Sequence, residues 1–167
     1  MMPKIIIIRG NAASGKSSLA QSLQEELGDN TLLLSQDLLR RTMLHAHDGR
    51  ETPTIDLLLH LIDYGHKHCH ITILEGILRS DWYQPIWDCI REHYTPANTH
   101  AYYDDLPFSE TVRRHASRDK VKAFGEEALK RWWVAKDYLT SIPETRLTQD
   151  LSLDKAKAII LADIKKP

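Results

Sequence analysis

Gly10-Asn11-Ala12-Ala13-Ser14-Gly15-Lys16-Ser17 sets two glycines, a lysine and a hydroxyl in the spacing G-x-x-x-x-G-K-S, directly after the four isoleucines Ile5 to Ile8. This spacing suits a ligand with several charged oxygens. The glycines let backbone N–H groups converge into an anion-binding nest, Lys16 reaches the β- and γ-phosphates of a nucleotide, and the Ser17 hydroxyl is placed to ligate Mg²⁺. Residues 10 to 18, Ser18 included, form the expected nucleotide-phosphate site. The β-branched run before them and the amphipathic helix after them, whose free N–H groups and dipole favour negative charge, supply the context the motif requires.

Phosphoryl transfer needs positioning, charge neutralisation and a group to accept the acceptor's proton. Asp37, just past the apolar run Thr31-Leu32-Leu33-Leu34-Ser35, is placed for a general base, the alternative being a helix N-cap. Glu75 closes Ile71-Thr72-Ile73-Leu74 and is placed to hold the Mg²⁺ water shell or to orient substrate. Arg114 and Arg118 are four apart on one helical face with Arg113 beside them, and their guanidinium groups suit the spread charge of a phosphoryl group in transfer. Arg40 and Arg79 are candidates for substrate contact, with ordinary surface charge as the alternative. His66-Lys67-His68-Cys69-His70 invites a metal reading, but it straddles a helix end and a strand start on the opposite edge of the sheet, and alternate residues of an extended chain make no tetrahedral set. Trp132 and Trp133 are expected to pack a long helix onto the core, one ring partly exposed, with nucleotide stacking as the alternative.

The elements that must carry these groups alternate. After the first strand and its loop, Leu19, Leu23 and Leu27 mark a helix over Ser18 to Leu27, stopped by Gly28-Asp29-Asn30. Residues 31 to 35 read as strand 2, and Leu38 to His47 as a substrate-side helix and loop. A helix capped by Thr54 or Asp56 runs to Gly65, Ile71 to Leu74 is strand 3, Trp82 to Glu92 is a helix, and His100 to Tyr103 is strand 4. A helix from Ser109, a helix over Glu126 to Leu139, a fifth strand at Thr145 to Thr148 and a helix over Leu153 to Ile164 complete the chain. Short apolar strands alternating with helices predict a parallel α/β sheet covered on both faces, with ligands at the carboxyl ends of its strands, so the strand-end acids Asp37, Glu75 and Asp104 are expected to point toward the edge of the phosphate loop.

The 167 residues suit a single domain, 1–167. With 22 basic against 23 acidic residues, no general electrostatic footprint for nucleic acid or an acidic membrane is expected. Two cysteines make no disulfide framework, no apolar run approaches the ~20 residues needed to span a bilayer, and the chain starts on strand 1 rather than on a signal peptide. A cytoplasmic location is the expectation.

The motifs G-N-A-A-S-G-K-S (10–17), L-L-S-Q-D-L-L-R (33–40), I-L-E-G (73–76) and Y-Y-D-D-L-P-F-S-E-T-V-R-R-H-A-S-R (102–118) together resemble the small P-loop kinases of the zeta-toxin-like, uridine-kinase-like, gluconate-kinase and shikimate-kinase kind. The resemblance implies a three-layer α/β/α fold, a five-stranded sheet in the order 2-3-1-4-5, and an arginine-bearing lid over about residues 113–128. It implies ATP and Mg²⁺ as cofactors and a small-molecule phosphate acceptor as partner. Asp37 matches the acid held to activate the acceptor hydroxyl, Arg40 a substrate-side arginine, and Arg114 with Arg118 the lid arginines. The chain is shorter than true zeta toxins and lacks their extra helical regions. Two further readings stand beside a hydroxyl kinase: a nucleoside monophosphate kinase, kept open by Arg40, Arg41 and Arg79, and a non-catalytic ATP-binding switch.

Overall fold

A computed structural model describes residues 1–117 and 124–166. Lys4–Gly10 forms β1, and all four isoleucines within it are fully buried. Successive strand residues point to opposite faces, so four buried in a row require cover on both sides. The two cores supply it. Ile5 and Ile7 pack with Ile62, Leu74, Trp87 and Ile90, whereas Ile6 and Ile8 pack with Leu19, Leu23, Ile73, Tyr102 and Ile160.

The remaining strands are β2 (Thr31–Ser35), β3 (Ile71–Gly76), β4 (Thr99–Asp105) and β5 (Glu144–Thr148), all parallel, in the order β2-β3-β1-β4-β5. The helices are α1 (Lys16–Leu27), α2 (Gln36–Leu38, prolonged by a π-helical turn Leu39–Met43), α3 (Pro53–His68), α4 (Gln84–His93), α5 (Phe108–Ala116), α6 (Glu126–Trp132) and α7 (Leu153–Ile164). β1 therefore lies at the centre, and the ends of β2, β3 and β4 flank the loop that leaves it.

Several sequence expectations shift. The helix ending at Gly65 runs on to His68, because Gly65 is a packing position: a Cβ there would lie 2.2 Å from Thr72 Oγ1. Its cap is Thr52, whose side chain accepts from Thr54 N, with Pro53 in the first turn where a missing N–H costs nothing. The helix over Leu38 to His47 is a short α-helix and a π turn that stops at Met43. The helix over Glu126 to Leu139 stops at Trp132, and residues 133–143 form an irregular strap tied down by tertiary bonds described below.

Candidate active site

The loop after β1 turns where its backbone chemistry dictates. A Cβ on Gly10 would lie 2.8 Å from the Asp104 Cβ, so only glycine lets β1 and β4 meet there. Gly15 takes φ 100° as the cap of α1. Lys16 donates to Asn11 O at 2.7 Å and Ser14 Oγ at 3.1 Å, and is buried. Asn11 plays a part its place in the loop did not announce. Its side chain pairs both ways with the strap backbone, Nδ2 donating to Val134 O at 2.8 Å and Oδ1 accepting from Val134 N at 2.9 Å.

β3 lies beside β1 and delivers Glu75, 2% exposed, against the loop. Its Oε1 accepts from Ser17 Oγ at 3.0 Å and from Ser35 Oγ at 2.6 Å. An anionic oxygen and a hydroxyl oxygen side by side at the start of α1 are the hard donors that Mg²⁺ selects. Among the described residues no three His, Cys, Asp or Glu side chains converge on one metal position. A Mg²⁺ ion here would take its other ligands from nucleotide phosphate and water, as it commonly does.

Asp37 sits in the first turn of α2 while Ser35 occupies the cap position, so Asp37 is not the N-cap. Its Oδ1 accepts from Arg40 at 3.0 Å and pairs with Arg41 at 2.7 Å. Arg40 also donates to Ala46 O at 3.1 Å. Arg79 stacks over Trp82, its guanidinium carbon 4.2 Å from the ring centroid, and pairs with Asp81 at 3.2 Å. Arg114 reaches the phosphate loop directly, donating to Ser14 O at 2.6 Å while Glu110 holds its Nε at 2.9 Å. Arg113 turns outward onto Glu110, and Arg118 lies outside the described residues.

One cavity of about 580 Å³ joins these groups. Its wall includes Ala12 to Ser17, Asp37, Arg40, Arg41, Glu75 and Arg79; Gly10, Asn11, Ser18 and Arg114 flank or brace the loop without lining it. Trp132 and Trp133 also line the cavity, so their site is this chamber rather than the core of a long helix. The histidine stretch 66–70 lies at the opposite edge, where the His66 ring meets those of His93 and Tyr94.

Two participants escaped sequence reasoning. Asp48 lines the cavity and accepts from Tyr83 Oη at 2.6 Å, which in turn accepts from Gln36 at 2.8 Å; in the sequence it is only half of an Asp-Gly turn. Arg9 is fully buried, paired with Asp137 at 2.9 Å and Glu144 at 2.7 Å, and it also donates to Leu78 O at 3.0 Å and Asp137 O at 2.8 Å. Asp137 further accepts from Ser80 N and Oγ, so one arginine links β1, the 77–83 loop and the strap.

Asp104, expected at the edge of the loop, stands there. It lies opposite Gly10 in the β1–β4 register, 8% exposed, and its nearest charged neighbours include Lys16 and Arg114. Burial pushes its carboxyl up to about 6, against the pull of Lys16, the Ser14 hydroxyl and Arg114. The folded-state value lies above the ordinary 3.8, so the folded protein keeps a proton that the unfolded chain has lost between about pH 4 and 6. Stability from this group falls as pH rises through that window. Asp104→Asn is expected to remove on the order of 1–3 kcal/mol of that pH-dependent loss, read from urea titrations at several pH values. An unaltered slope in the variant would assign the dependence to another group.

A parallel sheet in the order 2-3-1-4-5, helices on both faces and a glycine-lysine-serine loop between β1 and α1 define the P-loop kinase fold. A family model described as an AAA domain matches residues 5–132, and the chain belongs to that family. No curated protein matches the chain in sequence. Among solved structures it is similar to the APS kinase CysC of Mycobacterium tuberculosis in complex with AMPPNP and APS, at TM-score 0.73 and 18% identity, with 99% of each chain covered. It is also similar to a gluconokinase from Sinorhizobium meliloti 1021, at TM-score 0.67 and 18% identity over 98% of this chain and 92% of that one. The tunicamycin resistance protein of Deinococcus radiodurans follows, at TM-score 0.64 and 15% identity over 99% and 97%. Among the described residues no helix is long and apolar enough to cross a membrane.

Proposed function

We propose that this protein is an ATP-dependent phosphotransferase that moves the γ-phosphate of ATP to a hydroxyl of a small molecule, of the nucleoside, sugar, nucleotide-sugar or antibiotic kind. The supporting observation is that a single cavity is lined both by the phosphate loop and by Asp37, Arg40, Glu75 and Arg79. Donor and acceptor would share one chamber, as in-line transfer demands.

In this reading the loop amides of residues 10–18 and Lys16 hold the β- and γ-phosphates. Arg114, with Arg118, neutralises charge that spreads over the transferred group. Asp37 takes the proton from the acceptor hydroxyl as its oxygen bonds to the γ-phosphorus; the bond from that phosphorus to the bridging oxygen breaks, and ADP leaves. Arg40, Glu75 and Arg79 orient the acceptor. Ser17 and Glu75 would hold Mg²⁺, whose chemistry there is to neutralise phosphate charge. The unit is one domain over 1–167, its lid over about 113–128 lying partly outside the described residues. Arg41, which joins Arg40 and Arg79 in the cavity wall, favours a second reading in which the acceptor is itself a phosphate, as in a nucleoside monophosphate kinase.

The test is ATP consumption against nucleosides, sugars, nucleotide sugars and aminoglycosides, with mass analysis of the product. One compound should gain a phosphoryl group in step with ADP formed. Lys16→Ala should weaken AMPPNP binding by about 10–100-fold, the worth of charge-assisted bonds to phosphate. Unchanged affinity in that variant, or none in the parent protein, would sink the assignment of the loop.

A further inference from the structure

Three of the chain's four tryptophans, Trp82, Trp132 and Trp133, line the cavity. The fourth, Trp87, is fully buried beneath Arg9. Indole rings at a polar chamber wall forgo apolar burial unless a ligand covers them.

We propose that the acceptor carries an aryl or heteroaryl ring whose flat face is received by Trp82 and Trp132. This rests on the phosphotransferase reading and narrows its substrate class. Trp132 is 41% exposed, yet it is held in place. Phe124 meets its ring at 5.1 Å and 63°, and Phe124 itself stacks on His115 at 4.5 Å and 16°. His115 is buried, and its Nε2 lies 2.6 Å from Phe124 O. The three rings form a continuous row along the cavity wall, with buried His115 at one end and the exposed Trp132 at the other. Trp82 is set by the Arg79 guanidinium stacked on it, and that guanidinium plane also borders the cavity. Planar groups fixed before binding lose little entropy when a ring stacks on them. An open-chain polyol would instead call for converging hydrogen-bond donors and acceptors, which indole faces do not offer.

The ring belongs to the acceptor because Trp82 stands on the 77–83 loop and the strap that continues from Trp132 is tied to that loop. Asp137 of the strap accepts from Ser80, two residues from Trp82. The same cavity wall carries Asp37, Asp48 and Arg79.

The experiment uses the full chain saturated with Mg²⁺ and AMPPNP, titrated with matched probes and read by tryptophan fluorescence: phenyl β-glucoside against methyl β-glucoside, and adenosine against ribose. The ring-bearing member of at least one pair should bind at least about tenfold tighter than its partner, and Trp132→Ala should cut that binding about tenfold while AMPPNP affinity holds. Equal binding within both pairs overturns the proposal and leaves the phosphotransferase reading standing. So does a parallel loss of AMPPNP affinity in Trp132→Ala, which would give the ring to the adenine of the donor. If AMPPNP does not bind the parent protein, the phosphotransferase reading falls, and the acceptor ring with it. Trp82→Ala repeats the test on a second element.

Discussion

Asp37→Asn should lower turnover by about 10²–10⁴-fold, the usual contribution of a positioned general base, while AMPPNP binds as in the parent protein. The substitution keeps volume and one acceptor oxygen, so α2 and its contacts with Arg40 and Arg41 have little cause to rearrange. Asp37 lies at the end of β2, and its partners are α2 arginines rather than the phosphate loop. The loss should therefore appear in kcat and not in nucleotide affinity. What the variant lacks is a carboxylate able to take a proton. Steady-state ADP release with the acceptor identified by mass analysis is the measurement. Transfer at the parental rate would remove Asp37 from the mechanism and favour an acceptor that is already ionised, as a phosphate would be.

The largest loss of stability is expected at Arg9. Arg9→Met retains much of the length and apolar bulk but strands the side chains of Asp137 and Glu144, 13% and 3% exposed, without their cation. Breaking a buried pair from one side typically costs about 3–5 kcal/mol, because the remaining charge stays desolvated. Arg9 also donates to two backbone carbonyls and lies over the rings of Trp87 and Tyr103, so these contacts are lost as well. Urea unfolding followed by far-UV circular dichroism reads the change. Arg113→Gln serves as the control, since that side chain is 72% exposed and, among the described residues, pairs with its helix neighbour Glu110; its cost should stay within about 0.5 kcal/mol. A loss below about 1 kcal/mol in Arg9→Met would mean that the cluster relaxes by admitting water.

The contrast between Arg9 and its neighbours in sequence illustrates what local pattern carries. Ile5 to Ile8 announce a strand buried on both faces, because no other short element accommodates four β-branched residues in a row, and Gly10 to Ser17 announce the loop because glycine and lysine spacing is a local geometric demand. Helix α7 spans Leu153–Ile164 as its apolar spacing predicts, and the strand ends carry Asp37 and Glu75 to the loop's edge because parallel strands present their carboxyl ends together. Arg9 stands between those two motifs with nothing in its surroundings to say where it points.

The strap shows the same division more sharply. Residues 133–139 continue a helical pattern, and propensity alone extends α6 through them. Asn11, 123 residues away, instead bonds both polar groups of Val134, Arg9 takes the Asp137 carbonyl, and Glu144 accepts from Leu139 N. Those long-range bonds replace the helical ones, so the chain leaves the helix at Trp132 at little cost in unsatisfied groups.

G-x-x-x-x-G-K-S, the strand–helix alternation and the acids at the strand ends were thus decided by residues within a few positions of one another. The tertiary structure alone decided the inward turn of Arg9, the arrival of Asp48 through Tyr83, and the tryptophan wall. Each of these depends on a partner distant in the chain, and a pattern read along the sequence has no access to a contact made across the sheet.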